Sequence, residues 1–231
     1  MITLSNIIIE ICKKELKTRL GSKATIIPLI FTFILPVIVF LPKIYLLFSA
    51  QKSEPNYFSF IMFLIIPVMM TNIIGIHSFI NEIRWKTFKT LLVAPIDIEE
   101  ILIGKSLACI LVGIIADLLL SLILLITGIN INLSILLLFF CLGPLVVIYA
   151  TFLLVLGTLK FPKIAELGGG LYFSISGHVI AFLAIFLINI VFSGFQLLID
   201  FLSIIMVSIF SLITYFSSKK MFNKEYLALS W

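Results

Sequence analysis

Asp117 is the residue with the most distinctive potential chemistry in this chain, because it lies in the middle of a long apolar run. A carboxylate in such a run is costly if ionised, so we expect it to be protonated, paired or in contact with a wet cavity. Asn72 and His178 lie within comparable apolar runs. Two interpretations stay open for all three residues: they line a substrate path, or they form hydrogen bonds that hold helices together.

Two short motifs approach known catalytic or nucleotide-binding patterns without completing them. Residues 104–106 (Gly-Lys-Ser) match the end of the phosphate-binding pattern G-x-x-x-x-G-K-[ST], but its first glycine is Glu99 here and no strand precedes it. Lys105 is therefore expected at the lipid headgroups. Ser174 replaces the first glycine of a serine-protease motif that would use Ser176, which leaves an intramembrane protease as the enzymatic alternative. We predict no catalytic residues, no metal site and no enzyme activity.

The elements that must position these residues are predicted to be membrane helices. Only 12% of the residues are charged, against about 25% in a typical soluble domain. The apolar residues fall in runs of about 20 or more, the length of helix that crosses about 30 Å of hydrocarbon. We predict an all-α integral membrane protein with one domain, 1–231, and six transmembrane helices at about 24–48, 58–79, 101–126, 133–158, 168–193 and 195–216.

Pro28, Pro36 and Pro42 lie within the first of these spans. Proline lacks the N–H group that a helix interior uses, and it clashes with the preceding turn. The sequence therefore predicts that the first span is bent or broken near its outer end.

The distribution of lysine and arginine predicts the orientation. Residues 1–23 are expected to form an amphipathic interfacial helix with a basic face. Basic residues stay preferentially on the cytoplasmic side, and with both termini inside only Lys43 and Lys52 of the 16 basic residues lie outside. We predict a multi-pass protein of the inner (plasma) membrane with cytoplasmic termini. The net charge of +5 then reflects topology and membrane lipids rather than nucleic acid.

The longest polar interruption, residues 80–105, lies between the second and third predicted spans. Its coupling segment, 80–100, is expected to form a short amphipathic helix on the cytoplasmic side that docks on another protein, because apolar anchors with a charged rim are typical of interfaces. The alternative is a helix that lies on the lipid surface. The residues of this pattern are Glu82, Arg84, Lys86, Phe88, Lys89, Leu91, Leu92 and Pro95, followed by Asp97, Glu99 and Glu100.

This interruption resembles the cytoplasmic coupling segment of ABC exporter permeases of the type-2 class. That family typically has Glu-Arg, then Gly-Thr, a Leu-Leu pair, Ser-Pro or Ala-Pro, an acidic residue, and Gly-Lys opening the third helix. The departures here are Ile83 for the usual arginine, Lys86 for the glycine and Lys89 for an acidic residue. Together they make the segment more basic than the family pattern. The matching residues are Glu82, Thr87, Leu91, Leu92, Ala94, Pro95, Glu100, Gly104 and Lys105.

The resemblance implies a membrane-spanning permease subunit of an ATP-driven exporter. Separate ATPase subunits, which bind ATP and Mg, would dock beneath it and push on residues 82–95 and on the interfacial helix. A second identical or related permease would complete a twelve-helix assembly. The chain itself would hold no cofactor. Asn72, Asp117 and His178 would then be candidates for the translocation path.

Other functions stay open. The permease of the haem-export machinery used in cytochrome c maturation shares a similar topology and loop. A proton-coupled secondary transporter would use Asp117 and His178 as its relay. The substrate is not readable from the sequence, although the apolar spans favour an amphipathic or lipid-like cargo, such as an antimicrobial peptide or a drug.

Overall fold

The computed structural model describes residues 4–50, 64–84, 96–126, 133–161, 163, 170–192 and 195–221. Within these ranges the secondary structure is helical, with no strand. This confirms the all-helical fold class.

Helices follow one another along the described part of the chain, joined in two places by π-helical segments. The π-helical segments are Ile76–Ile80, between α3 and α4, and Leu138–Leu142, between α6 and α7. The helices are α1 (Leu4–Leu20), α2 (Lys23–Ala50), α3 (Ile65–Gly75), α4 (Asn81–Arg84), α5 (Ile98–Ile126), α6 (Leu133–Leu137), α7 (Gly143–Lys160), α8 (Gly170–Val191) and α9 (Gln196–Met221).

By length and composition, three or four segments of the described residues could cross a membrane. Three are single stretches: Glu99–Ile126, Leu133–Lys160 and Leu197–Met221. The fourth is the pair of α1 and α2, which meet at a bend of 82°. Two shorter apolar helices cover Ile65–Ile80 and Ile175–Val191. The membrane-embedded character is compatible with these helices, and the six-span arrangement stays a prediction.

The first predicted span is not broken at its prolines. α2 is a continuous helix through Pro28, Pro36 and Pro42. In an apolar environment a helix tolerates proline where neighbouring groups or small backbone adjustments compensate for the lost hydrogen bonds. The sharp change of direction lies earlier, at Gly21 and Ser22, where the chain passes from α1 to α2 within two residues.

α7 lies at the centre of the helical packing, against α9, α8, α3 and α5. Its residues Val147, Ala150 and Val155 are completely buried. Hydrogen bonds add to this packing: the Tyr149 hydroxyl donates to the Gly177 carbonyl at 3.2 Å, and the Ser218 hydroxyl donates to the Phe152 carbonyl at 3.0 Å. The core therefore forms around a helix that follows a π-helical segment.

α5 and α7 are in close contact where Asp117 meets Gly143. The carboxyl group of Asp117 occupies the space that a Cβ atom at position 143 would need. One turn earlier, a Cβ at Gly113 would overlap the Thr71 hydroxyl of α3 and the side chain of Val147. Small residues at such positions let helix backbones approach, which is how helices associate in lipid.

Gly143→Ala is expected to destabilise the protein, because the new methyl group overlaps the carboxyl group of Asp117. Overpacking costs about 1–3 kcal/mol, which exceeds the gain of up to about 1 kcal/mol that alanine brings as a better helix former. The measurement is the thermal unfolding midpoint of the purified protein in detergent. In an Asp117→Ala background the same substitution should cost far less. A Gly143→Ala protein that unfolds above the wild-type midpoint would contradict this packing.

Candidate functional site at the junction of α1, α4 and α5

Lys105 lies at the centre of a largely buried ion cluster where three helices meet. Its ammonium group donates to Glu15 Oε1 of α1 at 2.8 Å, to Glu82 Oε1 of α4 at 2.5 Å, and to the Ser78 carbonyl at 3.2 Å. The lysine side chain is only 3% exposed. An ammonium group has three N–H donors, so all three are used here.

Arg19 and Ser78 complete the cluster, which we call the ion joint (Glu15, Arg19, Ser78, Glu82 and Lys105). The Arg19 Nε group donates to Glu15 Oε2 at 3.0 Å, and its Nη2 atom lies 4.0 Å from Glu82 Oε1. The Ser78 hydroxyl donates to Glu15 Oε2 at 3.1 Å. Two carboxylates and two cations therefore balance one another in a mostly buried place.

Local sequence features explain how these groups meet. A Cβ at Gly104 would lie 2.8 Å from two side-chain atoms of Ile11 and 3.1 Å from the Ile8 carbonyl oxygen, so glycine lets α1 pack directly on α5. Lys105 follows immediately and reaches the acidic side of α1. Ser78 belongs to the π-helical segment that precedes Glu82, and the Asn81 N–H bonds to the Ile76 carbonyl, as expected for that geometry.

The two carboxyl groups respond differently to this environment. Burial alone would raise the pKa of Glu15, but the charges of Lys105 and Arg19, with hydrogen bonds from Lys105 and Ser78, outweigh it and lower the pKa. For Glu82, burial and the charge of Glu15 outweigh the attraction of Lys105 and Arg19, so its pKa is raised. The negative charge is therefore held more firmly on Glu15.

The ion joint includes one residue of the predicted coupling segment. Glu82 lies in it, with a side chain that is 15% exposed. Arg84 belongs to α4, although its side chain lies outside the described residues. The other predicted coupling residues also lie outside the described residues: Lys86, Phe88, Lys89, Leu91, Leu92 and Pro95.

The position of Lys105 at the depth of the lipid headgroups stays a prediction. Its side chain is buried against Glu15 and Glu82, so its charge is compensated by two protein carboxylates rather than by water or lipid. Sequence reasoning did not identify Glu15 or Ser78. The four-residue spacing of Glu15 and Arg19 is a signal for a pair on one helix face, but it does not indicate a partner 90 positions away.

The predicted path residues lie elsewhere in the bundle. Asn72 of α3 and Asp117 of α5 are both completely buried. Neither carboxyl oxygen of Asp117 has a hydrogen-bond partner among the described residues. His178 belongs to α8, and its side chain lies outside the described residues. Asn72 and Asp117 therefore lie on two helices, α3 and α5, that pack against each other.

No group of three or more His, Cys, Asp or Glu side chains in the described ranges could hold a metal ion. Cys12, Cys109 and Cys141 are free thiols. No family model, curated protein or solved structure matches the chain.

Lys105→Met is expected to lower the free energy of unfolding by about 3–5 kcal/mol, because two largely buried carboxylates lose their common partner. The measurement is thermal unfolding in detergent, with size-exclusion chromatography to verify the folded state. Lys219→Met is the matched control, since it removes the same ammonium group from an ion pair with Glu99 in which both side chains are nearly half exposed. The control should leave the unfolding midpoint unchanged. Equal losses in the two variants would contradict the role given to burial.

Glu15→Gln is expected to destabilise the protein more than Glu82→Gln at neutral pH. The stabilisation from Glu15 is present above its unfolded pKa of about 4.3 and is lost as the pH falls through its lower folded pKa. The contribution of Glu82 to stability depends on pH in the opposite direction. It is present at low pH and is lost as the pH rises through its raised folded pKa. Comparing the unfolding midpoints of the two variants at pH 7 tests this order, and a larger loss for Glu82→Gln would disprove it.

Proposed function

We propose that this chain is the membrane-spanning permease subunit of an ATP-driven ABC exporter of the type-2 class. It moves an amphipathic or lipid-like cargo out of the cytoplasm or the inner leaflet of the plasma membrane. ATP and Mg bind to separate ATPase subunits, and a second identical or related permease completes the twelve-helix assembly. Six spans with both termini in the cytoplasm are part of this proposal.

We call residues 85–95 the connector. The observation that carries the proposal is that the ion joint includes one residue before the connector and one residue after it. Glu82 lies three residues before the connector, and Lys105 lies ten positions after it, about two turns into α5. Their ion pair ties together two points that are 23 positions apart in the chain. The residues on either side of the connector are therefore held at a fixed base, and that base also holds α1 through Glu15.

A fixed base determines how a push on the connector would spread. Without the ion joint, force on residues 85–95 would bend α4 or α5 separately. With it, α4 and α5 are joined to each other and to α1, so the three helices move together. Separating them would expose or isolate buried charges, which costs several kcal/mol. This is the behaviour that a coupling segment needs in order to convert ATPase closure into tilting of membrane helices.

The basic and apolar residues of the connector fit a docking role. Lys86 and Lys89 supply the charged rim, and Phe88, Leu91 and Leu92 supply the apolar anchor. A buried apolar cluster surrounded by polar groups is the usual energetic centre of a protein interface. Because Glu82 is already engaged in the ion joint, we assign it to transmission rather than to direct contact with the ATPase.

A proton-coupled secondary transporter is the second candidate, and Asp117 favours it. A buried carboxyl group without a hydrogen-bond partner among the described residues could carry a proton across the bundle. Asp117→Asn distinguishes the two functions, because it removes the ionisable proton and keeps the size of the side chain. Proton-coupled transport should be abolished by this substitution, while an ATP-driven exporter should retain transport.

Leu91→Ser/Leu92→Ser is expected to abolish copurification of ATP-hydrolysing activity with the tagged chain, because the variant loses the apolar anchor of the interface. The fall in retained activity should be 10-fold or more, since loss of an interface anchor typically costs about 2 kcal/mol or more. The matched control is Leu91→Met/Leu92→Met, which keeps the anchor apolar and should retain the activity. If neither the wild type nor the control ever copurifies ATP hydrolysis, the proposal is wrong.

A further inference from the structure

An open apolar groove of about 350 Å³ lies between α2, α3 and α5, and the end of α1 forms one of its edges. All of its lining residues are apolar. Leu29, Val112 and Ala116 form its floor and are at most 8% exposed. Ile30 and Ile115 form its rims and are about half exposed. The groove therefore opens outward along the side of the bundle.

Two exposed lysines flank the end of the groove at Leu20. Lys17 precedes Leu20 by three positions, so both lie on the same side of α1. Lys23, the first residue of α2, precedes Ile30 by seven positions, which places it on the groove side of that helix. Among the described residues, neither Lys17 nor Lys23 takes part in an ion pair.

We propose that this groove binds one acyl chain of an anionic phospholipid, with its phosphate group at Lys17 and Lys23. The pairing of an uncharged groove with positive charge at one end matches a molecule with an apolar chain and a negative head. The segment of α5 from Val112 to Leu119, both of which line the groove, is about 10 Å long. That length suits part of a single acyl chain.

Other occupants fit the groove less well. A helix of a second copy is about 10–12 Å wide with its side chains, so even about 10 Å of its length would need more space than the groove's volume of about 350 Å³. A cargo with polar groups would find no hydrogen-bond partner on these walls. Lysines near the membrane surface attract the anionic lipids of the cytoplasmic leaflet. The proposed topology places the bend between α1 and α2 at that leaflet. The proposal requires membrane embedding but no ATPase, so it can fail or hold independently of the exporter function.

The test is native mass spectrometry of the purified full chain, titrated with phosphatidylglycerol or with phosphatidylcholine of the same acyl chains. The wild type should bind one phosphatidylglycerol more tightly than phosphatidylcholine. Lys17→Gln/Lys23→Gln should weaken that binding by about 25-fold, at about 5-fold per lysine. Lys13→Gln/Lys14→Gln is the matched control on α1 and should bind as the wild type does.

A second pair of variants tests the groove itself. Ile115→Trp fills it and should remove the tightly bound lipid. Ile205→Trp places the same substitution on α9 at an equally exposed position, 54% against 55%, and should keep the lipid. Equal binding of the two lipids by the wild type would overturn the proposal, as would equal losses in the two lysine variants. Retention of the lipid by Ile115→Trp would also overturn it. Conversion of a dimer to a monomer by that variant would overturn it as well, because the groove would then hold a second copy of the chain.

Discussion

Two largely buried carboxylates and two cations share one small volume at the junction of α1, α4 and α5, and much of the structure depends on that balance. Each charge is tolerated away from water only because the others compensate it. The Phe79 ring adds to this, since the Lys105 ammonium lies 5.9 Å from its centroid. The three helices therefore behave as one unit at this end, although their residues are far apart in the chain.

Elsewhere the bundle is held by close packing around small residues rather than by charge. Gly113, Gly143 and Gly177 each lie where a larger side chain would overlap a neighbouring helix. Lipid tails are as apolar as leucine, so membrane helices gain little from the hydrophobic effect and depend on such contacts. The two kinds of contact have different consequences: packing allows small sliding movements, whereas the ion joint resists separation.

The helical class could be predicted because long apolar runs admit few other structures, and Glu82 could be identified from its place in a polar segment. The environment of Lys105 could not. Its partners, Glu15 and Glu82, come from other helices, and no local pattern shows which helices meet. The π-helical segment at Ile76–Ile80 also has no reliable sequence signal, although it shapes the approach to the ion joint. The prolines of α2 indicated a bend or a break, and the break did not occur because the surrounding structure can prevent it.

The most direct test of the account is the distance between spin labels at Lys14 of α1 and Asp97, next to α5, in the purified complex with the ATPase subunits that we propose as its partners. Both positions are exposed, and Cys141, the exposed native thiol, would first be replaced by alanine. The account predicts a narrow distance distribution that stays the same with and without ATP in the wild type. It predicts a broadened distribution in Lys105→Met. A wild-type distance that changes when ATP is added would contradict the claim that the ion joint moves α1, α4 and α5 as one body.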